Sequence, residues 1–185
     1  MTPAAAPSCC VWRHPPPQEA AGRCIGHTDL AVNRRKAKRL AHRIRQHVRR
    51  QGWARVVHTS PLARSADVGR WLARWGWRHH IDAALMEIDF GAWDGQRWDA
   101  IDVVAIDAWC SDLAHDRSHG GESVSALFER CGRWLGRTAG IAPRCVVGHA
   151  GWINAARLLH QGEGPPCSAS AWPAALRYGE RLELR

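Results

Sequence analysis

The segment after Asn33 carries apolar residues at the spacing of an α-helix. They are Ala37, Leu40, Ala41, Ile44 and Val48, at positions i, i+3, i+4, i+7 and i+11. This pattern predicts an amphipathic helix in which Asn33 caps the N-terminus and Gly52 follows the C-terminus. Most of the other positions are arginine or lysine, so we expect the outer face of this helix to be basic.

Short apolar runs typical of β-strands alternate with further helical segments. The predicted strands cover residues 9–11, 55–58 and 145–147, and the predicted helices cover residues 63–75, 98–113, 123–138 and 152–160. In the segment 123–138 the residues expected to face inward are Val124, Leu127, Phe128, Cys131 and Leu135. Residues 82–95 and 162–173 resemble loops, and residues 175–184 resemble an edge element. This alternation predicts an α/β fold, a three-layer sandwich in which a mostly parallel sheet is flanked by helices.

The length of 185 residues suits one domain, and a domain near that size buries roughly 70% of its unfolded surface. We therefore expect a single domain over residues 1–185, with residues 1–8 disordered. No leader segment is apparent, and no apolar run approaches the ~20 residues of a membrane span. These features favour a cytoplasmic protein without a membrane partner. The seven cysteines include no C-x-x-C pair, so neither a disulfide framework nor a zinc site is indicated.

The net charge of +9 comes from one part of the chain. Residues 31–66 contain eleven lysine or arginine residues and no aspartate or glutamate. Such a segment is typical of proteins that bind nucleic acid. However, 24 of the 26 basic residues are arginine, and tryptophan, alanine and glycine are also abundant, as GC-rich codons would produce. We therefore expect no nucleic-acid partner.

Three predicted strands end beside side chains that bind anions. Arg13 and His14 follow the first run, His149 follows the run 145–147, and Arg64 lies shortly after the strand 55–58. In α/β proteins, ligands bind outside the carboxyl ends of adjacent strands. These four side chains could therefore face one anionic substrate, and two imidazoles with two guanidinium groups suit phosphoryl transfer.

Five short blocks of sequence contain these residues together with several glycines and acids. They are Arg13-His14, Ser60-Pro61-Leu62-Ala63-Arg64, Leu85-Met86-Glu87-Ile88-Asp89-Phe90-Gly91-Ala92-Trp93-Asp94-Gly95, Gly120-Gly121-Glu122-Ser123 and Gly148-His149-Ala150-Gly151. In this order they resemble the histidine phosphatase (phosphoglycerate-mutase-like) superfamily. The resemblance covers about residues 10–152, and the small size is similar to the α-ribazole phosphatase branch, which trims a cobalamin precursor. It implies the phosphoglycerate-mutase-like form of the α/β sandwich.

The resemblance implies a role for each reactive residue. His14 would be the nucleophile that accepts the phosphoryl group. Arg13, Arg64 and His149 would form the phosphate clamp. Glu87 would donate a proton to the leaving oxygen.

This chemistry needs these residue types for physical reasons. A neutral imidazole can attack phosphorus, and neighbouring arginines disfavour its protonation. Planar guanidinium groups bind the oxygens of the transferring phosphoryl group bidentately and need little reorganisation. An alcohol leaves poorly as an alkoxide, so a carboxylic acid must protonate it. Because cationic side chains supply the positive charge, we expect no metal and no other cofactor.

The loop after the nucleophile departs from the family. The usual Arg-His-Gly-Glu-Thr is replaced at residues 15–17, which are all proline, and Ala20 occupies a position where the family has asparagine. Proline lacks a backbone N–H and fixes φ, so phosphate contacts are lost, and Gln18 or Arg23 could replace them. In the next loop, Gly26 matches the family glycine that approaches the substrate, which assigns it to phosphate binding.

Several residues have more than one interpretation. Asp89 and Asp94 compete with Glu87 for the role of proton donor. Glu122 is either a loop carboxylate with its own partners or a group that orients the active site, and His27 could touch substrate. The other histidines are interpreted as structural or solvated: His42, His47, His58, His79, His80, His115, His119 and His160.

Three functions remain open. The leading one is a metal-independent phosphomonoesterase that acts through phosphohistidine on a small-molecule phosphate ester, with α-ribazole 5'-phosphate as the favoured substrate. The second is a sugar-phosphate phosphatase or a phosphoglycerate-mutase-type enzyme, although such mutases are longer between residues 97 and 120. The third is a non-catalytic phosphate- or RNA-binding protein, which the basic segment would suit but which would not need Glu87. The sequence does not indicate an oligomeric state.

Overall fold

The computed structural model describes residues 9–137 and 144–184. Residues 1–8, expected to be disordered, and Thr138, at the end of a predicted helix, lie outside the described residues. The described strands are β1 (Cys9–Arg13), β2 (Val56–Thr59), β3 (Arg78–Ile81), β4 (Arg144–Gly148) and β5 (Arg181–Leu184). The described α-helices are α1 (Arg34–Gln51), α2 (Ala63–Ala73), α3 (Val103–Ser111), α4 (Val124–Arg137) and α5 (Ala150–His160).

The five strands form one sheet in the order β3-β2-β4-β1-β5. β2 runs parallel to both β3 and β4, and β1 runs parallel to β4. β5 lies antiparallel to β1 at the edge of the sheet. The mostly parallel sheet is therefore confirmed, and β5 falls inside the predicted edge element.

Alternate side chains of β1 enter two different cores. Cys9 and Val11 pack with buried residues of α4 and α5, whereas Cys10 and Trp12 pack with buried residues of α1 and α2. Successive side chains of a strand point to opposite faces of the sheet. Helices therefore cover both faces, which confirms the three-layer α/β sandwich.

The amphipathic helix α1 forms as its pattern predicts. The Asn33 side chain accepts hydrogen bonds from the backbone N–H groups of Arg35 and Lys36, and the chain leaves the helix at Gly52 in the left-handed region, with φ of 68°. A glycine tolerates this backbone conformation without steric penalty. None of the helices in the described part of the chain is long and apolar enough to cross a membrane.

The region between β3 and α4 differs most from the prediction. The single helix expected over residues 98–113 is divided into a 3-10 turn at Trp98–Ala100 and the helix α3. Asp102 lies between them in a non-helical conformation, and its side chain accepts a hydrogen bond from the Val104 N–H. An N-cap of this kind starts a new helix, which is why the predicted helix is interrupted here although the apolar pattern continues.

Three smaller differences concern edges and faces. The strand β3 has no apolar alternation, because it is an edge strand with mostly exposed side chains, and the sequence pattern missed it. The helix α2 ends at Ala73, before the expected residue 75. In α4, Leu135 is only partly buried, whereas Trp134 is buried in the core.

Candidate active site

The two predicted reactive histidines leave adjacent parallel strands. Arg13 of β1 is paired with Gly148 of β4, and the residue after each is a histidine. The His14 N–H donates to the Gly148 carbonyl at 3.1 Å, and the rings of His14 and His149 lie 4.9 Å apart between centroids. The parallel register thus brings together two residues that are far apart in sequence.

The imidazole of His14 is held in one tautomer. Its side chain is only 4% exposed, and Nδ1 lies 2.6 Å from the Pro15 carbonyl oxygen. A carbonyl can only accept, so Nδ1 carries the proton and Nε2 keeps its lone pair. Burial, followed by the nearby Arg64 guanidinium, lowers the pKa of His14 to about 3, although the Pro15 hydrogen bond opposes this. His14 is therefore a neutral imidazole near pH 7.

His149 is fully buried and forms a hydrogen bond with the side chain of Arg64. Its Nδ1 accepts a hydrogen bond from Nε of Arg64 at 3.2 Å, so in the neutral ring Nε2 carries the proton and donates to Oγ of Ser60 at 2.7 Å. Burial, with the charges of His14 and Arg64, holds the pKa of His149 well below its usual value. His149 contacts the His14 ring but is not part of the cavity lining.

Arg64 lies in the first turn of α2, and hydrogen bonds restrict the conformation of its side chain at the cavity. It is 1% exposed, and its two terminal nitrogens donate to the carbonyl oxygens of Thr28, at 2.8 Å, and Gly26. Gly26 is buried and does not line the cavity. A Cβ there would lie 2.3 Å from the Ile88 carbonyl oxygen. The structure thus places Gly26 as an anchor for Arg64 rather than in contact with the substrate space.

Arg13 is held by the segment that immediately precedes β5. Its Nη1 donates to the Leu176 carbonyl at 2.6 Å, and its guanidinium lies 3.9 Å from the centroid of the Tyr178 ring. Tyr178 also packs 5.5 Å from the His14 ring. Nε of Arg13 is buried and has no hydrogen-bond partner among the described residues, and the Arg13 side chain lines the cavity.

Glu87 is held by the N-terminus of α5. Its Oε1 accepts from the N–H groups of Ile88, at 3.1 Å, and Trp152, at 3.3 Å, and its Oε2 accepts from Gly151 at 3.1 Å. The first N–H groups of a helix have no partner inside the helix and favour a negative charge. A Cβ on Gly151 would lie 2.5 Å from Oε1, so only glycine leaves room for this carboxylate.

The two competing carboxylates have other tasks. Asp94 accepts from the backbone N–H groups of Gly26, His27 and Thr28. Burial opposes its ionisation, but these hydrogen bonds outweigh burial and hold the pKa of Asp94 below its usual value. Asp89 accepts from the Gly91 N–H and is partly exposed. Among the described residues that line the cavity, Glu87 is the only acid.

An ion pair holds the backbone just before Glu87 in place. The sequence did not predict this pair. Arg130 of α4 pairs with Glu122 at 2.7 Å and donates to the carbonyl oxygens of Ala84 and Met86, each at 2.9 Å, and of Glu87, at 3.2 Å. Nε2 of His27 also donates to the Glu87 carbonyl at 3.0 Å. Glu122 therefore acts on the site through Arg130, and His27 holds the loop without lining the cavity.

The cavity has a volume of about 350 Å³ and two different ends. We call Arg13, His14, Arg64 and Glu87 the phosphate end. We call Phe90, Trp98, Trp109 and Trp172 the aromatic end. Both groups line the same cavity, together with aliphatic residues such as Leu113 and Leu127. Within the described residues, no cluster of three metal-ligating side chains lies on this lining.

The proline-rich loop forms part of the wall. Pro17 and Ala20 line the cavity, as does Arg23, whereas Gln18 is exposed and lies off the lining. Of the two residues considered as replacements for the lost family contacts, Arg23 is therefore the one in position. Its Nη1 donates to the Gly95 carbonyl at 2.8 Å, and the guanidinium has further donors.

Comparisons with known proteins identify the family and the fold. The family model of the histidine phosphatase superfamily (branch 1) matches residues 9–167. No curated protein sequence is significantly similar to the chain. A mycobacterial glucosyl-3-phosphoglycerate phosphatase superposes with a TM-score of 0.76 at 23% identity, covering 95% of this chain and 88% of its own. The α-ribazole phosphatase of Shigella flexneri gives 0.77 at 22% identity, covering 94% and 87%.

A protein from Thermus thermophilus gives a TM-score of 0.68 at 25% identity, with 94% of this chain and 90% of that chain covered. These structural matches show the phosphoglycerate-mutase-like fold, and the family model spans every block of the site from β1 to α5. The chain belongs to the histidine phosphatase superfamily, and it is a phosphatase.

Proposed function

We propose that this phosphatase hydrolyses phosphate monoesters through a phosphohistidine formed at Nε2 of His14. The hydrogen bond from Nδ1 to the Pro15 carbonyl carries this proposal, because it leaves the Nε2 lone pair as the nucleophile. The low pKa of His14, caused first by burial, keeps that lone pair available near neutral pH.

In the first step, the Nε2 lone pair of His14 forms the P–N bond while the P–O bond to the leaving group breaks. Arg13 and Arg64 stabilise the charge on the equatorial oxygens. Glu87, protonated on Oε2, gives its proton to the leaving oxygen, which departs as an alcohol. Oε2 accepts only one backbone N–H, so it keeps a lone pair for that proton.

In the second step, the Glu87 carboxylate takes a proton from a water molecule whose oxygen attacks phosphorus. The P–N bond breaks, and the electron pair of that bond returns to Nε2 of His14. Phosphate is then released. Both steps use cationic side chains where other phosphoryl-transfer sites use Mg2+. We therefore propose that the reaction itself is independent of a metal ion.

We further propose a substrate whose alcohol carries a flat apolar group, with α-ribazole 5'-phosphate as the favoured candidate. Its benzimidazole base matches the aromatic end, where Trp98 and Trp109 lie beside Phe90 with ring centroids 6.0 Å away. Aromatic rings stack favourably on a flat base. A sugar ester needs polar partners for its hydroxyl groups, and this end of the lining offers apolar side chains instead.

Trapping the covalent intermediate tests the mechanism. Brief incubation with a 32P-labelled ester, followed by denaturation, should leave an acid-labile, base-stable phosphoryl group on the protein. His14→Ala should remove the label and lower kcat by about 1,000-fold or more, the scale of losing a nucleophile. His160→Ala, at the exposed end of α5, serves as the matched control. A labelled and active His14→Ala variant would place the nucleophile elsewhere.

A further inference from the structure

A second group of polar side chains lies beneath α1, away from the phosphatase cavity. Cys10 of β1 and Glu183 of β5 are directly opposite each other in the antiparallel register. His47 of α1 packs over them, and the Cys10 Sγ, a His47 ring nitrogen and a Glu183 carboxylate oxygen all lie within 4.8 Å of one another. Two neighbouring strands and one helix thus direct three ligand-type atoms at one point.

The His47 ring in this group is buried without its usual hydrogen bond. The residue is 7% exposed, and its Nε2 has no hydrogen-bond partner among the described residues. The nearest Glu183 oxygen is 4.0 Å away, which is too far for a hydrogen bond. Leaving a buried polar atom unpaired costs about 1–3 kcal/mol, so this nitrogen is positioned for a partner of another kind.

The ring is also fixed in orientation by its neighbours. Trp12 and Trp53 pack edge-on against the imidazole of His47, with centroids 5.8 Å and 5.5 Å away. The indole Nε1 of Trp12 is a second buried donor, close to the Cys10 thiol but without a hydrogen bond of ordinary geometry in the described part of the chain. It lies on the same face of β1 as Cys10, and a metal-bound thiolate would accept such a donor better than a thiol does.

We propose that Cys10, His47 and Glu183 bind one Zn2+ ion. A thiolate, an imidazole and a carboxylate are the ligands that zinc takes in proteins, and tetrahedral bonds of ~2.0–2.3 Å place ligand atoms roughly 3.3–3.6 Å apart. His47 Nε2 and Glu183 Oε1, 4.0 Å apart, need to approach by about half an ångström, and atoms at the 4.8 Å limit by roughly 1.2–1.5 Å. The Cys10 S–H proton goes to solvent on binding, so thiolate and carboxylate together balance the +2 charge.

Access and neighbours are compatible with this site. The Glu183 side chain is 24% exposed, so this ligand can be reached from solvent. Nε of Arg181 donates to Oε1 of Glu183 at 3.1 Å. A carboxylate offers about four lone-pair sites, so Glu183 can bind the ion and keep this hydrogen bond.

Such an ion would join α1 and β5 to β1, and its expected effect is on stability. Sequence spacing gave no sign of it, because its three ligands come from distant segments and no C-x-x-C pair is present. The ligands do not line the phosphatase cavity. The site is therefore separate from the proposed reaction, and the failure of either proposal leaves the other intact.

Cobalt substitution tests the site directly. Metal-free protein, in a Cys110→Ser/Cys167→Ser background that removes the accessible thiols, is titrated with Co2+. We expect one equivalent to give the intense visible bands of a tetrahedral site together with a thiolate-to-cobalt band. Zn2+ should then displace the cobalt and raise the melting temperature by several degrees. The proposal is overturned if the Cys110→Ser/Cys167→Ser protein shows no tetrahedral cobalt bands and Zn2+ does not change its melting temperature. This holds whatever the other variants do.

Matched variants locate the ligands. Cys10→Ser should abolish the thiolate band, and His47→Gln should weaken Co2+ binding at least tenfold. Cys145→Ser, at the residue paired with Cys10 on β4, and His42→Gln, on the exposed face of α1, should leave both unchanged. Bands that survive Cys10→Ser and His47→Gln would overturn this ligand set. Hydrolysis of a phosphate ester should persist after the metal is removed by chelation, when it is measured below the melting temperature. The same activity, measured for each variant, shows that the variant is folded.

Discussion

The two ends of the phosphatase cavity are built on different principles. At the phosphate end, Arg64 and Glu87 are each fixed by three hydrogen bonds to the rest of the protein. At the aromatic end, Trp98 and Trp109 are held by ring packing against Phe90. Hydrogen bonds fix direction, whereas packed rings can shift or be exchanged at moderate cost. We therefore propose that the phosphate end determines the reaction and that the aromatic end determines which ester is accepted.

The difference also follows the elements that carry each end. Three residues of the phosphate end, Arg13, His14 and Arg64, lie at or near the ends of β1 and β2, where the sheet defines position, and Glu87 is held by the N-terminus of α5. The aromatic end comes mainly from the segment between β3 and α4, which consists of 3-10 turns and the short helix α3. A change in that segment alters the cavity without moving a strand.

The largest effect that separates the two ends is expected at Glu87. Glu87→Gln should slow hydrolysis of an alkyl phosphate such as α-ribazole 5'-phosphate by about 100-fold or more, because the leaving oxygen then lacks its proton donor. p-Nitrophenyl phosphate has a good leaving group and should be much less affected. Steady-state kinetics with both esters measure the difference.

Asp89→Asn is the matched control for Glu87→Gln, since Asp89 lies on the same segment but off the cavity lining. It should show no selectivity between the two esters. Equal losses on both esters for Glu87→Gln, or a selective loss at Asp89, would assign the proton donor differently.

A smaller and differently shaped effect is expected at the aromatic end. Trp109→Ala should lower kcat/KM by roughly tenfold for an ester with an aromatic base, mainly through KM, because stacking area is lost. A small ester such as glycerol phosphate should be nearly unaffected. Trp75→Ala, outside the cavity, is the control. A large fall in kcat for the small ester would mean that the aromatic end takes part in the chemistry.

The phosphate end should also make folding stability sensitive to acid. The pKa of His14 is about 3 in the folded protein, lowered mainly by burial, against an ordinary value of 6.5. The unfolded chain therefore binds the extra proton first, and stability falls as the pH drops below about 6.5. By pH 5 the loss reaches roughly 2 kcal/mol for this group.

Denaturant unfolding at a series of pH values measures this loss. His14→Gln should reduce the slope of stability against pH, and His149, whose pKa is also lowered, should account for part of the remaining slope. Trp109→Ala should leave the slope unchanged, because no titrating group is removed at the aromatic end. An identical slope for His14→Gln and the unaltered protein would contradict the low pKa of His14.

The smallest effect is expected on the basic face of α1, whose residues do not line the cavity. Replacing the exposed residues Arg35, Lys36 and Arg39 together by glutamate should change kcat/KM by less than about twofold, as is usual for surface charges away from a site. Kinetics and an RNA-binding titration over several salt concentrations test this. Tight RNA binding with a steep salt dependence, lost in the triple variant, would instead support the nucleic-acid-binding hypothesis.

The sequence predicted the phosphate end better than the aromatic end for a physical reason. Arg13, His14 and His149 follow apolar strand runs, and parallel pairing brings the ends of such runs together. The partners that hold these residues come from elsewhere. Arg130 reaches the loop before Glu87 from α4, and Tyr178 reaches Arg13 from the segment before β5. Periodicity within one segment does not reveal contacts of this kind.

The aromatic end also depends on a local detail that periodicity obscures. The apolar pattern of residues 98–113 continues through Asp102, but the side chain of Asp102 caps a new helix and turns the chain. This turn accompanies the packing of both Trp98 and Trp109 against Phe90. A single cap thus changed one predicted helix into a turn and a helix that line the cavity.

The position of β1 in the sheet has a consequence for how the enzyme folds during its synthesis. Among the described strands, β1 is the first to be synthesised, whereas its neighbours β4 and β5 are the last. At ~5–20 residues per second, roughly 7–26 seconds of translation separate β1 from β4. During that time the apolar strand is a candidate for chaperones, and Arg13 and His14 lack the neighbours that give them their geometry. A nascent chain on the ribosome should therefore be inactive until β4 and β5 have been synthesised.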